Sequence, residues 1–114
     1  MQEQFISQIK SGYQFNGPSI YLGCGTLDGQ AIPEAEVQLP VRMMNRHGLI
    51  AGATGTGKTK SLQVLAEQLS RIGVCSLLLD IKGDLSGIAL PGSANPKIDS
   101  RMQALKKEWH AEGN

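Results

Sequence analysis

No run of apolar residues in this chain approaches the roughly 20 needed to cross a bilayer as a helix, so no membrane span is expected. The opening residues Met1-Gln2-Glu3-Gln4 have neither the basic start nor the apolar stretch of a secretory signal, which makes the cytoplasm the expected compartment. Excess charge of one sign is missing as well. A net charge of +1 and a pI of about 7.8 exclude the overall basic footprint of a free-standing nucleic-acid binder, so any DNA contact has to lie elsewhere. There are 2 cysteines, Cys24 and Cys75, far apart and without a paired Cys or His at metal-ligand spacing; both read as reduced thiols. Internal repeats and low-complexity tracts are absent.

What remains is an ordinary globular composition, 40% hydrophobic and 18% charged over 114 residues. A complete domain of this size buries roughly two thirds of its unfolded surface.

Along the chain, Phe5, Ile6 and Ile9 share one face of a short helix that Gly12 and Asn16-Gly17-Pro18 should stop. Ser19 to Gly23 reads as a short strand, Asp28-Gly29 as a turn, and Glu36 to Arg42 as a second strand. The apolar run Gly48-Leu49-Ile50-Ala51 fits a buried strand. After it, Leu62, Leu65, Ala66, Leu69 and Ile72 fall at helical spacing, with Gly73 where a terminating glycine belongs. Val74 to Ile81, centred on Leu77-Leu78-Leu79, predicts a further buried strand parallel to the one before the helix. A Gly-, Pro-, Ser- and Asn-rich loop runs from Gly83 to Pro96. Asn95 and Pro96 then suit the N-cap and first position of a last helix whose Ile98, Met102, Leu105 and Trp109 share a face.

The chemistry sits in Gly52-Ala53-Thr54-Gly55-Thr56-Gly57-Lys58-Thr59, which satisfies G-x-x-x-x-G-K-[ST] at every required position between an expected strand and an expected helix. Glycines let the backbone wrap phosphate oxygens, so that successive N–H groups point inward at the positive end of the following helix. Lys58 is expected to reach the β and γ phosphates, and the Thr59 hydroxyl to ligate Mg2+. A glycine-rich turn without phosphate chemistry is the competing reading, and the loop alone does not separate ATP from GTP.

Asp80, followed by Lys82 and Asp84, ends the last expected strand on the carboxyl side, where ligands gather in parallel α/β sheets. Either aspartate is a candidate for the neighbourhood of Mg2+ or an attacking water, and solvated charge in an ordinary turn explains them equally well. Arg46 and His47 read as a solvated turn, Trp109 as a core residue, and Cys75 as an inert thiol in a buried strand.

The run His47 to Thr59, together with Leu78-Leu79-Asp80-Ile81-Lys82-Gly83-Asp84-Leu85-Ser86-Gly87, resembles the N-terminal part of the HerA-like helicase family within the FtsK-HerA superfamily, and looks closest to its bacterial YjgR-like branch. The resemblance extends from about Ile20 to the end. It implies an α/β, RecA-like P-loop ATPase core, assembly into hexameric rings, and coupling of ATP hydrolysis to movement along DNA. By the same resemblance Gly52 to Thr59 is the Walker A motif. An acidic Walker B site, a polar sensor and an arginine finger, which family members carry further on, are not recognisable here, so whether this chain is itself an enzyme stays open. The expected organisation is a leading helix and small β element over 1–42, followed over 43–114 by the truncated N-terminal part of the P-loop domain. In a RecA-like sheet other strands lie between the two buried strands predicted here, which predicts an incomplete sheet with unpaired edges.

Two functions of different class follow: ATP binding as part of a HerA-like ATPase or translocase, and a non-hydrolysing nucleotide-binding or regulatory module acting with a full-length partner. A small P-loop kinase is disfavoured, because lid and acceptor-site residues are not visible.

Overall fold

A computed structural model describes residues 1–108; Trp109, read above as a core residue, lies outside them. Helix α1 spans Gln2–Tyr13, β1 Ser19–Leu27 and β2 Gln30–Pro40, followed by a 3-10 turn at Val41–Met43. Helix α2 spans Lys58–Arg71, a second 3-10 turn Ser86–Ala89, and α3 Pro96–Ala104. The chain divides into two compact units. One comprises Met1–Gln14, Gly23–Val37 and the chain from Ala89 onward; the other comprises Phe15–Leu22 and Gln38–Ile88.

The sheet is a two-stranded antiparallel hairpin, β1-β2. Its connection is Asp28-Gly29, with φ of 51° and 76°. Two consecutive positive φ values are what a type I′ turn requires, and its twist matches that of the strands it joins. Both strands are longer than the sequence pattern indicates, because so tight a turn lets pairing continue up to Leu27 and Gln30. Gly23, Gly25 and Pro33 mask this in the sequence by reading as breakers.

In the first unit, Phe5, Ile6 and Ile9 are the half-buried residues of α1, as their spacing indicates. Gly25 lets the Phe5 ring lie directly on the strand: a Cβ there would stand 2.7 Å from Phe5 Cζ. Ala35 and Ile32 are buried here. Helix α3 starts as expected, with Pro96 at its first turn and the Asn95 side chain accepting from the Lys97 N–H at 3.0 Å. Just beyond α3, Lys106 pairs with Glu34 at 2.7 Å and Lys107 with Glu36 at 2.6 Å.

In the second unit α2 buries Ala66 and half-buries Leu65 and Leu69, while Leu62 and Ile72 stay more exposed. It ends in a Schellman motif: Gly73 takes φ 81°, its N–H donates to Ser70 O at 3.0 Å, and Val74 N–H donates to Leu69 O at 2.9 Å. Gln68 ties the helix to β1. Its Nε2 donates to Tyr21 O at 2.7 Å, and Tyr21 N–H donates to its Oε1 at 2.8 Å.

The two buried strands expected at Gly48–Ala51 and Val74–Ile81 are not formed. Leu49, Leu77 and Leu79 are 89%, 87% and 88% exposed, Ile81 is fully exposed, and Cys75 is exposed rather than buried. The physical reason is cooperative: a strand exists only when a neighbour takes up its N–H and C=O groups and its faces are covered. Among the described residues only β1 and β2 pair. No helix among them is long and apolar enough to cross a membrane.

Candidate functional site

The glycine-rich stretch folds as a loop that opens directly into α2. Gly57 is the N-cap of that helix with φ 94°, and Gly55 has φ 79°, conformations that residues with a Cβ rarely adopt. Thr56 closes the loop on itself, its N–H and Oγ1 donating to Ala53 O at 3.3 and 2.7 Å. Gly52 lies beneath that turn, where a Cβ would fall 2.6 Å from Thr56 Oγ1. The left-handed backbone at Gly55 and Gly57 therefore favours glycine, and at Gly52 a side chain would crowd the Thr56 hydroxyl.

Lys58 begins the helix and turns its ammonium back over the loop, donating to the same Ala53 carbonyl at 2.7 Å. The first intrahelical bond runs from Ser61 N–H to Gly57 O at 2.9 Å, so the N–H groups of Lys58, Thr59 and Lys60 lie ahead of it. No side chain caps this end of the helix, and its first turn holds no acidic residue. Gly55, Gly57, Lys58, Thr59 and Lys60 line a cavity of about 280 Å³. Free backbone donors, the positive end of the helix dipole and two lysines make a concave surface chemically suited to a multiply charged anion.

The segment after the unformed strand is organised by Asp80. Its carboxylate accepts from Leu85 N–H at 2.6 Å and from Lys82 N–H at 3.0 Å. The Leu85 N–H, helped by those of Gly83 and Lys82 and opposed by desolvation, holds the Asp80 carboxyl below the usual aspartate value. Leu85 itself is buried. Gln63 Nε2 donates to Asp84 O at 3.4 Å, which fastens this loop to α2 one turn beyond Thr59. The Asp80 side chain thus serves as the anchor of the turn, a role visible in the sequence only as an Asp two residues ahead of Lys82. Asp84 is exposed, as are Arg46 and His47. Among the described residues, no group of three or more His, Cys, Asp or Glu is placed to hold a metal ion.

The bonds made by Gln63 and Gln68 have no counterpart in the sequence pattern. A glutamine inside an amphipathic helix carries no signal of the backbone it will meet.

An α/β chain built around a glycine loop that opens into an uncapped helix is the class these features define. The chain belongs to the HerA-like helicase family: the family model "Helicase HerA-like C-terminal" matches residues 26–114. It is similar to the DNA double-strand break repair helicase HerA of Saccharolobus solfataricus, 32% identical over 77 residues. That match takes in 68% of this chain and 14% of the relative, so the chain corresponds to about one seventh of that protein's length. No solved structure matches the chain.

Proposed function

We propose that the chain binds ATP with Mg2+ through Gly52, Ala53, Thr54, Gly55, Thr56, Gly57, Lys58 and Thr59, as the Walker A segment of a HerA-like ATPase that acts as a helicase or DNA translocase. The observation that carries this is the uncapped start of α2, with Gly55 and Gly57 at positive φ before it and the Lys58 ammonium held over the loop. The residues present fit the nucleotide. Lys58 would exchange the Ala53 carbonyl for phosphate oxygens, the first-turn N–H groups would donate to the same oxygens, and the Thr59 hydroxyl would ligate Mg2+. Bound Mg2+ neutralises phosphate charge. Asp80 is engaged by its turn, which leaves Asp84 as the acid for the metal or an attacking water.

The same reading places residues 43–114 at the start of a RecA-like domain of the YjgR-like branch, in the cytoplasm, within a hexameric ring. DNA is the partner it implies, supported by the name of the Saccharolobus relative.

Calorimetric titration of the folded chain with Mg-ATP and Mg-GTP, with circular dichroism as the control for folding, tests the reading. Lys58→Ala is expected to weaken Mg-ATP binding about 10- to 150-fold, the range for losing a hydrogen bond to a charged group. Thr59→Ala is expected to raise the Mg2+ requirement more than it weakens contact with the nucleotide. Unchanged affinity in Lys58→Ala would refute the assignment, and saturable binding without turnover would favour the non-hydrolysing module.

A further inference from the structure

The G-x-x-x-x-G-K-[ST] pattern leaves the position of Thr56 open, yet in the folded loop its side chain meets that of Lys58 at a single acceptor. Ala53 O accepts from Lys58 Nζ at 2.7 Å, from Thr56 Oγ1 at 2.7 Å and from Thr56 N–H at 3.3 Å. A carbonyl oxygen has two lone pairs, so this acceptor is oversubscribed and the longest of the bonds is the weakest. The Thr56 hydroxyl is seated over Gly52, where a Cβ would come within 2.6 Å of it, so the missing side chain keeps that seat open. Of the two short bonds, the one from Lys58 is the one free to go elsewhere. Its ammonium rides on a long flexible stem, whereas the hydroxyl is fixed beside the turn that the Thr56 N–H closes.

We infer that Thr56 is a positioning residue for Lys58: its hydroxyl keeps the Ala53 carbonyl satisfied, so that the ammonium is released to a phosphate oxygen without stranding an acceptor in the loop. This role rests on the nucleotide reading of the same loop, and Thr56 acts through Lys58 rather than on the ligand. With the hydroxyl in place, moving the ammonium removes one of two short bonds to Ala53 O. Without it, the same movement leaves that carbonyl only the 3.3 Å bond from Thr56 N–H, and Lys58 is held back by an acceptor that it alone satisfies well. Thr56 lies in an exposed part of the loop, so water offsets some of that cost and the effect is modest in size.

The test introduces Thr56→Val, which keeps the branched shape and removes the hydroxyl, and Thr56→Ser, which keeps the hydroxyl, into both the wild-type and the Lys58→Ala chains. Mg-ATP affinities are followed by NMR titration, which reaches millimolar constants, and thermal melting of each unliganded variant controls for folding. Thr56→Ala is the second hydroxyl-free variant and carries the same comparison where Thr56→Val melts early. In the wild-type background, loss of the hydroxyl is expected to lower affinity about three- to tenfold, while Thr56→Ser stays within about twofold of wild type. In the Lys58→Ala background, loss of the hydroxyl should change affinity by less than about 1.5-fold, because no ammonium remains to be released. An equal loss in both backgrounds would overturn the role, since it would mark a direct contact with the ligand or a general support of the loop. A wild-type-background loss below about 1.5-fold, or a Thr56→Ser variant as weak as Thr56→Val, would overturn it as well and leave the nucleotide reading standing. If the wild-type chain binds no Mg-ATP, the nucleotide reading falls first and takes this role with it.

Discussion

Replacing Gln68 removes both hydrogen bonds that tie α2 to β1, and the structure sets the size of the effect. The amide donates to Tyr21 O at 2.7 Å and accepts from Tyr21 N–H at 2.8 Å, imitating the pairing of a neighbouring strand. Each such bond contributes about 0.5–1.5 kcal/mol net, so Gln68→Ala is expected to cost about 1–3 kcal/mol in urea or thermal unfolding. The Tyr21 amide should exchange with solvent faster in the same variant. Gln68→Glu sharpens the argument. Its carboxylate can still accept from Tyr21 N–H, but it offers no proton to Tyr21 O. Protonating the introduced carboxylate restores that donor, so the pKa of the new side chain in the folded state is raised above its unfolded value. The stability contributed by that proton is therefore present at low pH and lost as pH rises through the raised value. The deficit of Gln68→Glu relative to wild type should shrink below about pH 4–5 and grow toward neutrality. A cost below about 0.5 kcal/mol for Gln68→Ala, or a Gln68→Glu deficit independent of pH, would refute the view that this bridge holds the helix to the strand.

Gly25→Ala should destabilise by about 1–3 kcal/mol, because the new methyl group would meet Phe5 Cζ and Cε1 at 2.7 and 2.9 Å. Combining it with Phe5→Leu should show a smaller cost than the sum of the two changes, and strict additivity would count against the contact. Asp80 supplies a test in acid. Its folded-state pKa lies below the reference value of 3.8, so the stabilisation it gives is fully present above that pH and is lost as pH falls through the lower folded value. Asp80→Asn should remove that part of the acid transition and speed exchange of the Leu85 amide, and an identical acid limb would argue against the turn-anchor role.

Signals confined to a few neighbouring residues were legible in the sequence. Asn95-Pro96 starts α3, Asp28-Gly29 turns the hairpin, Gly73 ends α2, and Phe5, Ile6 and Ile9 mark the covered side of α1. In each case the cause is local: a capping oxygen, a positive φ, or a 3.6-residue period. The glycine loop was legible for the same reason, since the positive φ at Gly55 and Gly57 tolerates little else. The hairpin strands were legible in part, whereas the absence of strands at 48–51 and 74–81 was not. The apolar run around Leu77-Leu78-Leu79 states that these side chains favour burial, but it cannot state which segment will cover them. The reach of β1 and β2 is likewise greater than the pattern shows, because glycine and proline weaken the strand signal without preventing a ladder on an exposed hairpin. In the sequence Asp80 reads evenly as a group near the metal or as turn charge; its bond to Leu85 N–H spans five residues, too far for a dipeptide pattern to show.

The exposure of the 74–81 segment explains why a glutamine carries so much weight in the second unit. Fully burying a leucine or isoleucine side chain contributes about 1.5–3 kcal/mol, and Leu77, Leu79 and Ile81 make almost none of that gain. Within this unit the buried apolar residues are few: Ile20 on β1, Pro40 at the end of β2, Ala66 on α2 and Leu85 in the anchored turn. With so little apolar cover, the attachments of α2 are largely polar: Gln68 to Tyr21 on one element, Gln63 to Asp84 O on another. Polar attachments are directional and individually modest, so each one fixes the geometry of the helix more than its thermodynamic contribution suggests. Losing the Gln68 bridge should therefore loosen α2 along its length, and the amides of Leu65 and Leu69 should lose protection together with that of Tyr21. Exchange confined to Tyr21 would show instead that the helix is held independently of the strand.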